Sequence, residues 1–415
     1  MVRAAIVALF LVAPSGYAYS VLTHEAVVDA AWDKEITPLL LKRFPHTTKD
    51  QLLEAHAYAY GGCLIQDLGY YPFGSKFFSD LLHYVRTGDF VLNMVRESRD
   101  VDEYAFPLGA LAHYAADNSG HPIAVNESVP LEYPKLKREF GPEVTYEDDP
   151  AAHIRVEFGF DVVQVARGNY APKSYHDFIG FEVSKDLLDR AFRDTYSLEL
   201  SDVFKSVDLA IGTFRKGVSA VIPELTKTAW AMKGDELVKA DRTLTRRKFV
   251  YNLSRSSYER EWGDQYERPG VFARVLALLL RIVPKVGPFK ALAFKKPTPE
   301  TVKLFEESFN RTLELYRNLL AGVGGGSLQL EDANLDTGEP SRPADYFLAD
   351  ETYEKLAIKL ANKHPATIDP VLRRKVLAFV DGSRSRDAKH DRDREDAEKA
   401  LATLRAVSPS ALPAR

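Results

Sequence analysis

A single cysteine, Cys63, excludes an internal disulfide in a chain of 415 residues, so stability has to come from packing or from bound metal. Flanked by Gly62 and Leu64, that cysteine reads as a small buried hydrophobe and not as a nucleophile. Strand signals are scarce and no repeat recurs at solenoid spacing, which points away from β and repeat architectures. An excess of either charge sign is lacking as well. With a formal net charge of -4, composition offers no electrostatic reason for a polyanionic partner, and no specific nucleic-acid binding is expected. The N-terminal apolar run from Ala4 to Ala13 is far short of the ~20 residues that span a bilayer.

What is present is ordinary for a globular protein: 45% hydrophobic and 27% charged residues, in a length that suggests two or three domains. Arg3 ahead of the short apolar run, and small residues at Gly16 and Ala18 behind it, describe a secretory signal peptide over residues 1–18. The expected product is secreted or periplasmic and begins at Tyr19. Helical spacing then recurs. Leu52, Leu53, Ala55, His56 and Ala59 form one stripe, and Phe106, Leu108, Ala112, Tyr114 and Ala115 belong to another. Segments 148–167, 180–196 and 300–320 read as amphipathic helices, the last opened by Pro299 and closed near Gly322. The expected fold class is all-α, a multi-helix bundle with a helical C-terminal extension.

Changes in character along the chain divide it into a catalytic domain over 19–240, a helical extension over 241–325, a small helical region over 326–382 and a charged tail over 383–415. Within the extension, 268–299 holds lysine and arginine among apolar residues and no acid before Glu300, a pattern that suits peripheral contact with an anionic membrane. Its alternative is a helical hairpin that caps the domain before it. Gly322 to Gly326 reads as a linker, 332–344 as a Gly/Pro/Asp-rich loop, and 383–398 as a solvated helix face or disordered tail.

Eight of the ten histidines fall in the first 176 residues, which directs any metal chemistry to that half. His113 with Asp117, and His153 with Glu157, sit four apart on expected helices, so each pair can offer a nitrogen and an oxygen to one ion. Such pairs are commonly surface ion pairs, but 108–117 is an apolar helix in which a buried imidazole and carboxylate need partners to offset desolvation. His121 continues that face one turn on, with Pro122 marking a helix end. Asp67 is an acid in an apolar, glycine-led segment, and His83 stands beside Leu81 and Leu82.

In order, Thr23-His24, Asp67, His83, His113-x-x-x-Asp117 and His153-x-x-x-Glu157 resemble the ligand series of the zinc-dependent phospholipase C family, whose fold the single-strand-specific zinc nucleases share. The similarity covers roughly 19–220. It implies an all-α bundle that holds up to three zinc ions. One would be held by Asp67, His83, His113 and Asp117, and a second by His153, Glu157 and a further histidine. The third would take the N-terminal residue Tyr19, His24 and the bridging Asp117. The family's further histidine falls six residues beyond the bridging aspartate, where this chain has Ile123, and His121 is the expected substitute. Tyr19 stands where the family has tryptophan.

The resemblance implies a phosphodiester hydrolase, with Asp67 as both ligand and base for the attacking water. Tyr58, Tyr60, Tyr70, Tyr71, Phe73, Phe77 and Phe78 surround Asp67 in sequence and suit either a cleft wall or plain core. The expected substrate is phospholipid or another phosphodiester. Alternatives are a single-strand-specific zinc nuclease, favoured by the Tyr19 to His24 spacing, and a non-catalytic metal-binding envelope protein.

Overall fold

A computed structural model of the chain describes residues 21–167, 181–216, 297–364, 367–383 and 391–406, with isolated positions at 218, 230, 234–235, 238–239 and 295. The leader 1–18, Tyr19, His176 and nearly all of 268–299 lie outside the described residues. The rest is helical, as expected. In chain order the helices are α1 (Val21–Ala31), α2 (Thr37–Arg43), α3 (Lys49–Leu64), α4 (Lys76–Tyr84), α5 (Thr87–Glu97), α6 (Val101–Gly120), α7 (Asn126–Glu132), α8 (Pro134–Phe140) and α9 (Pro150–Arg167). Then follow α10 (Lys185–Tyr196), α11 (Leu200–Val203), α12 (Val207–Lys216), α13 (Pro299–Gly325), α14 (Phe347–Ala361), α15 (Pro370–Ser383) and α16 (Asp391–Ala406). Two wide turns, Trp32–Ile36 and His121–Val125, and a tight one over Ile65–Tyr70 interrupt this series. Among the described residues the only strands are β1 (Ala333–Asn334) and β2 (Glu339–Pro340), an antiparallel pair with Ala333 opposite Pro340.

Helix α6 is apolar on nearly all sides, which suits a helix surrounded by others. Its first turn is capped by Asp100, whose side chain accepts from the backbone of Asp102 and Glu103. It crosses α3 at a spacing set by two glycines. A β-carbon on Gly62 would stand 1.8 Å from the carbonyl oxygen of Phe106, and one on Gly109 would stand 1.8 Å from that of Ala59. No side chain other than hydrogen fits either place. Tyr316 of α13, fully buried, donates to the carbonyl of Leu108 at 2.8 Å and fixes α13 along α6.

Three segments depart from expectation. Glycines 322, 324 and 325 continue α13 instead of ending it, and Gly326 in the left-handed region (φ 69°) closes it. The helix passes α2 there, where a β-carbon on Gly324 would stand 2.8 Å from the end of the Leu39 side chain. Residues 332–344 carry the β1–β2 hairpin. Of the charged stretch 383–398, residues 384–390 lie outside the described residues and the part from Asp391 on is helical, within α16, but Ala397, Ala400, Leu401 and Leu404 of that helix are buried. Leu111, Phe305, Leu356 and Leu404, one from each segment beyond the leader, belong to a single apolar cluster. No helix among the described residues is long and apolar enough to cross a membrane.

Candidate metal centre

Helix α6 and the first residue of the wide turn after it present His113, Asp117 and His121 at successive turns. Around these, α1 brings His24, the tight turn after α3 brings Asp67, the end of α4 brings His83, and α9 brings His153 and Glu157. All eight side chains belong to residues at most 2% exposed.

Asp117 lies between two groups. Its Oδ1 is 3.6 Å from His24 Nε2, and its Oδ2 is 2.9 Å from His113 Nε2 and 3.5 Å from His83 Nε2. His83 Nε2 is also 3.6 Å from Asp67 Oδ1. The rings of His24 and His113 stack at 4.2 Å. Backbone carbonyls set the tautomers: His83 Nδ1 donates to Ser79 O at 2.8 Å, and His113 Nδ1 donates to Cys63 O at 2.9 Å. Both leave Nε2 directed at the carboxylates. A third group lies beyond the end of α6. There His153 Nε2 is 2.9 Å and His121 Nε2 3.7 Å from Glu157 Oε1, with the two rings perpendicular at 4.9 Å.

Three sets therefore have ligand atoms within 4.8 Å of one another and could each hold an ion: His24, His113 and Asp117; Asp67, His83 and His113; His121, His153 and Glu157. The carboxylates fit a cation. Both oxygens of Asp67, Asp117 and Glu157 are buried without an aligned hydrogen-bond donor, an arrangement that is costly in a protein interior unless positive charge compensates it.

The protonation states follow from the same crowding. Burial raises the Asp67 carboxyl to about 6, against the pull of His113 and His83. Burial also pushes Glu157 well up and lowers His153 to about 4. Burial opposes charge on Asp117 too, but His113 and His121 hold it well below the usual range. At His83 burial is outweighed by Asp117 and Asp67, which hold the imidazole at about 9.

Residues that the sequence reading missed stand behind these groups. Asp336, between the two strands, lies 3.1 Å from His121 Nδ1 through its Oδ1, and its Oδ2 accepts from Tyr84 and Tyr346 at 2.8 and 2.6 Å. Burial opposes its ionisation, yet the His121 contact brings its carboxyl down to about 2. Tyr146 stands 5.7 Å from the His153 ring. Of the aromatic residues near Asp67, Tyr70 faces His83 at 5.8 Å, whereas Tyr60, Tyr71 and Phe78 are buried in the apolar core and Phe73 is exposed at φ 64°.

Residues 23–206 match the family described as zinc dependent phospholipase C. That segment, somewhat under half of the chain, is similar to the zinc-dependent phospholipase C family. The all-α architecture agrees with that assignment, and the match spans every described histidine and carboxylate of the three groups. It stops well before Asp336. No curated protein and no solved structure matches the chain. Family and donor sets together support zinc as the metal and a phospholipase C-like hydrolase as the class.

Proposed function

We propose that this chain hydrolyses a phosphodiester, most readily a phospholipid, with up to three zinc ions held at the three groups. One observation carries the reading: Asp117 turns one oxygen to His24 and the other to His83 and His113, and neither oxygen has an aligned donor. In this reading Asp67, His83, His113 and Asp117 hold one ion, His121, His153 and Glu157 a second, and His24, Asp117 and the terminal amine of Tyr19 a third. Bound zinc would supply Lewis acidity and lower the pKa of water toward neutrality.

The remaining work falls to the chain. Asp67, buried and raised to about 6, is suited to orient water and accept its proton near neutral pH. Ser79 and Cys63, through their carbonyls, hold two imidazoles in the tautomer that presents Nε2. Tyr70 and Tyr146 pack beside His83 and His153 and limit how much water surrounds them. Export after cleavage of the leader 1–18, and membrane contact through 268–299, belong to the same proposal.

The test is zinc analysis of the mature protein with parallel assays on phosphatidylcholine vesicles and on single-stranded DNA. More than one zinc per chain and release of a phosphorylated headgroup are expected. Fewer than one zinc per chain under metal-replete conditions would overturn the reading. Cleavage of DNA alone would transfer the substrate to nucleic acid, and zinc without either cleavage would make the protein a non-catalytic metal binder.

A further inference from the structure

The β1–β2 hairpin closes against the end of α6. A β-carbon on Gly338, at φ 70°, would stand 2.6 Å from Asn118 O, so the turn fits there only as glycine. Three of the bonds that anchor it do not involve the Asp336 carboxylate. Leu335 N donates to His83 O at 3.0 Å, Thr87 donates to Ala333 O at 2.9 Å, and Asn126 donates to Asp336 O at 2.9 Å. The Asp336 side chain, 3% exposed, adds bonds from Tyr84 and Tyr346 through one oxygen and turns the other inward on His121.

We propose that Asp336 is the positioning residue that makes His121 a zinc ligand, so that the group of His121, His153 and Glu157 is completed from outside the segment 23–206. The proposal rests on the reading of those three residues as a zinc site. His121 follows Asp117 by four residues and not six, so its ring leaves α6 from a different place and needs its own orientation. Asp336 Oδ1 lies 3.1 Å from Nδ1, a close charge contact without hydrogen-bond alignment, which favours a proton on that nitrogen and leaves Nε2 on the side of Glu157, 3.7 Å away. A carboxylate behind a ligating imidazole fixes tautomer and ring angle and makes the ligand more basic. Tyr84 and Tyr346 hold the second oxygen of Asp336, so the carboxylate cannot swing away. An asparagine would serve a merely structural role as well, since an amide oxygen accepts from two phenols, but it would not hold the imidazole in this state.

The experiment titrates the metal-free full chain with Zn²⁺ against a chromophoric chelator, and with Co²⁺ for its absorption spectrum, in wild type, Asp336→Asn, His121→Ala and the double variant. Asp336→Asn should weaken one class of site by ~10 to 100-fold and alter one component of the cobalt spectrum, with the other sites unchanged. In the His121→Ala background it should have no further effect. Tyr84→Phe, which removes one donor from Asp336 and leaves His121 intact, should weaken the same site by a smaller factor and serves if Asp336→Asn does not fold. Wild-type affinity in Asp336→Asn beside a lost site in His121→Ala would overturn the positioning role alone. Equal weakening of all sites, or an undiminished effect in the double variant, would reduce Asp336 to a structural residue and also overturn it. Full zinc content in His121→Ala would instead remove the reading of the site beneath it.

Discussion

Gly62→Ala should damage the metal centre without touching a ligand. The new β-carbon would lie 1.8 Å from Phe106 O, in the backbone of α6, where carbon and oxygen need ~3.2 Å or more. Rotamer change cannot relieve a clash between a β-carbon and a backbone carbonyl, so α3 and α6 have to separate by about 1 Å. Overpacking of this kind costs on the order of 3 kcal/mol, the upper part of the range for buried insertions. For a large cooperative unit that is ~5 °C or more in melting temperature. The same displacement moves Asp67, just beyond the end of α3, and Cys63, whose carbonyl orients His113, relative to the His113–Asp117 face. Metal sites tolerate ligand displacements of only ~0.2 Å, so zinc affinity at the Asp67, His83 and His113 group should fall at least about tenfold. Thermal unfolding with and without zinc, and chelator competition, measure both. Unchanged melting and unchanged affinity would refute the claim that the helix crossing sets the ligand geometry.

Other expectations are as direct. His113→Ala and Asp117→Asn should each abolish phosphodiester hydrolysis and lower melting temperature, since buried ligands couple metal binding to folding; wild-type zinc and turnover in either would remove that residue from the centre. Glu132, against Thr301 and Lys295, is raised by burial from 4.5 to about 7. Its folded form keeps the proton, so its contribution to stability is complete below pH 4.5 and is lost as pH rises through 7. At ~1.4 kcal/mol per pH unit the loss is at most about 3 kcal/mol. Glu132→Gln should flatten the stability profile between pH 5 and 8 in saturating zinc, and an unchanged slope would rule out this group as its source. Blocking the Tyr19 amine by acetylation should cost one zinc and most activity, with the free-amine site weakening as pH falls below ~8; equal zinc in both forms would leave His24 and Asp117 to hold that ion alone.

The fold class and the ligand series were legible because both are local patterns. His113, Asp117 and His121 repeat at the helical period, as do His153 and Glu157, and an acid such as Asp67 in an apolar stretch is conspicuous by composition alone. The glycines were ambiguous. At 322 to 325 they suggest a break, whereas the structure continues the helix through them, with Gly324 close against Leu39 of α2. In 391–406 the charged residues hid the stripe of Ala397, Ala400, Leu401 and Leu404, because charged and exposed positions outnumber the buried ones along it.

Asp336 was illegible for a different reason. It sits in Asn334-Leu335-Asp336-Thr337-Gly338, which reads as a turn and is one, with Asp336 N bonded to the Asn334 side chain. Its other partners are Tyr346, ten residues on, and His121, Tyr84 and Asn126, the last two separated from it by 252 and 210 residues. No period in sequence links residues that far apart, and the turn signature already accounts for an aspartate there. The consequence concerns how the chain is divided. A boundary drawn near 240, where composition changes, would detach the hairpin from a centre it packs against through Leu335, Asp336 and Gly338. Together with the helix contact of Tyr316 and the buried cluster that runs to Leu404, this packs the described residues beyond 297 into one body with the helices that carry the histidines, and puts the hairpin against the centre itself.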